Sequence, residues 1–103
     1  MSDIELVRGP FGEMVVAVPE ALRPLDVVLK DCRTFPALLE QAIRAAGEPG
    51  QEWSHGGNAG WIEISGERVT LSDQFTEEET VLPREQFLEL LLDFQRQLAT
   101  WSE

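Results

Sequence analysis

Trp61-Ile62-Glu63-Ile64-Ser65-Gly66-Glu67-Arg68-Val69-Thr70-Leu71-Ser72 is the stretch whose reading decides the fold. Two runs of alternating apolar and polar residues flank Gly66-Glu67, and a glycine at the first position of a two-residue loop marks a tight β-hairpin. The turn sets the register. Ser65 faces Arg68, Ile64 faces Val69, Glu63 faces Thr70 and Ile62 faces Leu71. Every apolar pair then falls on one face and every polar pair on the other, and a slip of one residue would exchange the faces. Trp61 joins the polar face, where it is either exposed or covered by the preceding loop.

Downstream, residues 73–80 form an acidic connection containing Glu77-Glu78-Glu79, and Val81-Leu82 suits a short edge strand. Pro83 fits the first position of a helix, with Glu85 near its positive end. Phe87, Leu91, Phe94, Leu98 and Trp101 follow at spacings of four and three, the stripe of a helix packed on a core. Leu88, Leu90 and Leu92 widen that stripe beyond what one flat sheet contact needs. Part of the helix is therefore expected to meet a second helix or a second copy of the chain.

Upstream, residues 47–60 hold Gly47, Gly50, Gly56, Gly57 and Gly60 and read as a loop containing Trp53 and His55. Phe35, Leu38, Leu39, Ala42, Ile43 and Ala46 recur at helical spacing. Thr34 is placed to cap that helix and Gly47 to stop it. Residues 24–33 read as a short helix carrying Leu25, Val28, Leu29 and Cys32, although the segment from Leu25 to Leu29 also suits an extended strand. Residues 3–8 and 13–18 flank Gly9-Pro10-Phe11-Gly12 as a first hairpin, which Pro19 ends. The order is β-β-(short α)-α-β-β-α. This predicts an α+β domain over residues 1–103, in which two hairpins form one antiparallel sheet with two main helices on one face.

Composition narrows the function classes. The chain has 103 residues, 43% apolar and 26% charged, within the range of globular domains. Nineteen acidic residues oppose eight basic ones, a formal charge of −11. Area scaling gives one net negative charge per ~530 Å² of folded surface. Free nucleic acid and anionic membrane are poor partners for such a surface, and a basic protein is the natural one. No apolar run is long enough to cross a bilayer and the N-terminal residues do not read as a secretory signal, so a cytoplasmic protein is expected.

The chemistry-bearing residues are sparse. His55 stands beside Ser54, but adjacency in sequence does not make a nucleophile and its base. Cys32, the one cysteine, reads as a small core residue. Gly56-Gly57-Asn58-Ala59-Gly60 lacks the lysine and the following helix of a phosphate-binding loop. No spacing suits a metal site, so no catalytic residue, metal or cofactor is expected. The carboxylates carry more. Glu85, Glu89 and Asp93 recur every four residues along the last helix. With Asp73, Glu77, Glu78 and Glu79 they form either a solvated surface or an acidic wall for a basic partner. Trp53 and Trp61 flank the glycine-rich loop and either pack on each other or anchor that partner; tryptophan is enriched at interface hot spots. A wall of this kind predicts weaker binding in a Glu89→Lys, Asp93→Lys double variant.

The hairpin from Trp61 to Ser72, the acidic link, and Leu82-Pro83-Arg84-Glu85-Gln86-Phe87-Leu88-Glu89-Leu90-Leu91-Leu92 form a pattern. It resembles small acidic bacterial immunity proteins of polymorphic-toxin and contact-dependent inhibition systems, and similar uncharacterised bacterial proteins. The resemblance covers about the last 45 residues. It implies a non-enzymatic protein that neutralises a basic toxin by covering its active surface, and it assigns no site residue. The alternative is an assembly protein that homodimerises through the Leu88/Leu92 face or an open sheet edge.

Overall fold

The computed structural model describes residues 4–57 and 59–101. The class is α+β, and six strands and three α-helices are present among these residues. In chain order they are β1 (Glu5–Arg8), β2 (Met14–Ala17), α1 (Arg23–Thr34), α2 (Pro36–Gly47), β3 (Trp53–Gly56), β4 (Gly60–Ser65), β5 (Arg68–Asp73), β6 (Glu79–Pro83) and α3 (Arg84–Thr100). A 3-10 turn at Glu20–Leu22 leads into α1.

The β4–β5 hairpin has the register its sequence dictates, with Ile64 opposite Val69 and Ile62 opposite Leu71. Gly66 sits at φ +60°, a conformation that a side chain would strain. Its four apolar residues are buried while Glu63, Ser65 and Arg68 are exposed.

The sheet is assembled differently from the expectation. The first hairpin forms, with Val16 opposite Leu6, but it stays a separate two-stranded sheet. Asp3, included in the expected first strand, lies outside the described residues. The four-stranded sheet has the order β3-β4-β5-β6, antiparallel throughout, so its third and fourth members come from the segments on either side of the central hairpin. Trp53 to Gly56, expected in a loop, is edge strand β3 and pairs with β4. The edge strand expected at Val81-Leu82 is the five-residue β6, which takes in Glu79 from the acidic link.

Of the two readings of residues 24–33, the helical one holds, and α1 is as long as α2. Thr34 is the last residue of α1 rather than the cap of α2, and its hydroxyl donates to the Lys30 carbonyl at 3.1 Å. Phe35 stands in the joint between the helices, half exposed, with Pro36 opening α2. It leaves the expected stripe because a residue before proline is held out of the helical region.

All packing of helices on the four-stranded sheet is on one side. Residues of α1 meet β4, β5 and β6, and α3 meets β5 and β6. α2 lies against α1 and α3, and α3 also reaches β1. This explains the wide leucine stripe: Leu90 and Leu91 are buried, Leu88 is partly buried against the core, and only Leu92 faces outward. Phe87 and Phe94 are fully buried beside Leu25, Leu29, Ile62 and Leu71.

Buried charges tie segments together. The Arg84 guanidinium donates to the carbonyl oxygens of Glu48 and Gln51, fastening the loop after α2 to the start of α3. Asp93 pairs with Arg96 and accepts a bond from Gln97. Gln97 in turn donates to the Ile4 carbonyl at 3.1 Å and accepts from the Leu6 amide at 2.9 Å, joining β1 to α3. No helix among the described residues is long and apolar enough to cross a membrane.

Candidate functional site: the uncovered face of the four-stranded sheet

Because the helices occupy one face, no helix among the described residues covers the other, called the bare face below. Strand parity determines what it displays. The cross-strand row Gly56, Trp61, Ser72, Glu79 lies beside the row Ser54, Glu63, Thr70, Val81. Two apolar side chains stand among these polar ones: Trp61 is 38% exposed and Val81 51% exposed.

Trp61 owes its posture to Gly56. A Cβ at Gly56 would stand 2.9 Å from Trp61 Cε3 and 3.0 Å from Cζ3, so the indole leans across β3 into the space that glycine leaves. The sheet end next to Trp61 is held from below. Asp31, buried on α1, accepts bonds from the Gly60 amide at 3.0 Å and the Ala59 amide at 3.2 Å. Bonds of this charge-assisted kind contribute about 1.5–3 kcal/mol each. Gln74 braces the same end by donating to the Gly60 carbonyl at 3.1 Å.

The link between β5 and β6 adds an aromatic at that end. Asp73 Oδ1 accepts from the Phe75 amide at 2.8 Å and the Thr76 amide at 3.2 Å, and the Glu77 amide bonds the Asp73 carbonyl. Phe75 is left 78% exposed. Glu77 takes φ +63°, the left-handed region rarely used by residues other than glycine. Asp73 is therefore a turn-former whose carboxylate is engaged with the backbone.

The structure divides the expected acidic wall. Glu79 lies on the bare face, and Glu78 pairs with Arg23 at 3.3 Å. Glu85 and Glu89 remain exposed on α3, separated from the link by the length of β6, about 13 Å at ordinary strand rise. Asp93 is only 8% exposed and engaged with Arg96 and Gln97, which removes it from any docking surface. Glu63 was not among the carboxylates picked out from the sequence, yet it stands two residues from Trp61 on the same face. The signal was present in the hairpin register, which put both on the polar side.

Trp53 and Trp61 do not pack on each other. Trp53 is paired with Ile64 and His55 with Ile62, so both point to the helix side, where their rings stack at 5.9 Å. Ser54, paired with Glu63, points the opposite way and cannot serve His55 within the strand. No group of three or more metal-ligating side chains occurs among the described residues.

Cys32 is buried on α1. Burial, helped by the neighbouring Asp31 carboxylate, pushes its thiol up to about 12. The native thiol is expected to resist a disulfide reagent at pH 8 and to react fully once urea unfolds the chain. The raised value also bears on stability. The unfolded thiol ionises near 9.0, so the contribution is intact below that pH and is lost as the pH rises through about 12. Urea midpoints at pH 8 and pH 10.5 check this: Cys32→Ala should lose less over that interval than the parent chain. In comparisons with protein-family models, curated proteins and solved structures, the chain matched none.

Proposed function

We propose that this chain is a non-enzymatic binding protein for a basic protein partner, and that the partner is a toxin it neutralises as an immunity protein or antitoxin. One observation carries the reading. In a chain of formal charge −11, the sheet face that no helix covers combines a half-exposed tryptophan with outward carboxylates. Opposite charge accelerates encounter, and a partly buried aromatic supplies the short-range anchor that charge alone lacks. The Glu63 and Glu79 carboxylates would steer the partner, and Trp61, with Val81 beside it, would hold it.

The test has two stages. Tagged chain is used to capture partners from a lysate of the source organism at low salt, and salt-eluted proteins are identified by mass spectrometry. The captured protein is then expressed in a bacterial host with and without this chain. The expected result is one basic protein in near-stoichiometric yield that arrests growth alone and is silenced by co-expression. A captured protein that is harmless, or whose toxicity the chain does not relieve, contradicts the toxin-neutralising role.

A further inference from the structure

The geometry points to Trp61 and Glu63 as a reading site for an arginine side chain of the partner. This rests on the binding role proposed above and names the group that is recognised. Both residues lie on β4, two positions apart on the bare face, which puts their Cα atoms about 6.5–7 Å apart. The indole is seated against Gly56, and 38% of the residue still faces solvent. Glu63 is exposed, and its carboxylate forms no hydrogen bond or ion pair among the described residues; its neighbours across the strands are the neutral Ser54 and Thr70. Arg68, its diagonal neighbour on β5, is not paired with it either.

A guanidinium satisfies both partners at once. It is planar, so it stacks on an indole, and its forked donors match a carboxylate two at a time. A lysine ammonium is a point charge that does one of these well at a time. The chain already uses the stacking half of this chemistry internally, where the Arg8 guanidinium carbon lies 5.0 Å from the Trp101 ring centroid. At the Trp61 site the ring and the carboxylate are in place and the cation is what the partner brings.

The test is a titration of the full ¹⁵N-labelled chain at low salt, followed through the Trp61 indole N–H and the backbone amides. Three capped peptides alternate glycine with arginine, lysine or citrulline. The arginine peptide should shift the Trp61 indole saturably and bind several-fold tighter than the lysine peptide, and the citrulline peptide should leave that signal still. Trp61→Leu and Glu63→Gln, each checked for an unchanged fold by its amide spectrum, should weaken the arginine peptide by about two- to fivefold apiece. Equal affinity for arginine and lysine peptides, or shifts confined to α3 and the acidic link, would overturn the arginine site and leave a basic partner in place. No shift anywhere with either cationic peptide would overturn both.

Discussion

Phe87→Ala is expected to lower the unfolding free energy by about 3–5 kcal/mol, the usual result of emptying a phenylalanine site in a closed core. Phe87 is in the first turn of α3 and has no solvent exposure. At this position the helix begins directly after β6 and sits under the sheet, with Arg84 fastened to the loop after α2. The surroundings therefore have little freedom to close over a void. Domains of this size have total stabilities of about 5–15 kcal/mol, so the variant retains a small margin. The melting temperature should fall by at least about 12 °C. Leu92→Ala, on the outward side of the same helix at 43% exposure, is the control and should change stability by less than about 1 kcal/mol. Urea unfolding with unchanged slope separates the two, and similar midpoints would contradict the assignment of α3's faces.

The central hairpin was legible because two independent signals agree in it. Turn chemistry at Gly66 and period-two alternation on both sides fix the same register. The third helix was legible for a similar reason, since Pro83 marks its start and phenylalanines and leucines repeat down one side. Pro83 stands one residue earlier than expected, immediately before the helix. The strand β3 was hidden by the glycines around it. Trp53 and His55 do alternate with Ser54 and Gly56, but four residues of weak alternation between glycine-rich segments also describe a loop. Strand order was equally out of reach: β6 joins β5 through an acidic link with no hairpin turn signal, and the separation of the first hairpin from the other strands depends on packing against α1 and α3, distant in sequence.

The candidate site was half legible. Trp61 was placed on the polar face by register alone. Its separation from Trp53 depends on the pairing of β3 with β4, a local pairing that the glycine-rich connection between them does not announce. Asp93 was misplaced for a geometric reason. Steps of four residues advance 40° beyond a full turn, so Asp93 is rotated about 80° from Glu85 around the helix. That rotation carries it to the boundary with β1, where Gln97 and Arg96 engage it. The Glu89→Lys, Asp93→Lys variant would therefore damage the fold, and it no longer tests a docking surface.

The informative variant is Glu63→Lys with Glu79→Lys. Both residues are exposed on strands whose registers are held by buried neighbours, so the fold should tolerate the change. Lysines at these two positions reverse the local charge beside Trp61 and weaken the attraction there, although the chain as a whole stays negative. The rate of association with a basic partner should fall at least about tenfold at low salt, and the difference should shrink as salt shortens the Debye length toward ~3 Å at 1 M. A second double variant, Glu85→Lys with Glu89→Lys, alters the total charge equally but acts on α3. It separates a local field from the charge of the whole molecule.

The most direct measurement is the association rate of the captured basic partner with these two double variants, across a salt series, against the parent chain. If the bare sheet face is the docking surface, Glu63→Lys with Glu79→Lys slows association far more than Glu85→Lys with Glu89→Lys at every low salt concentration. Equal slowing by both, or a larger effect from the α3 pair, would contradict it.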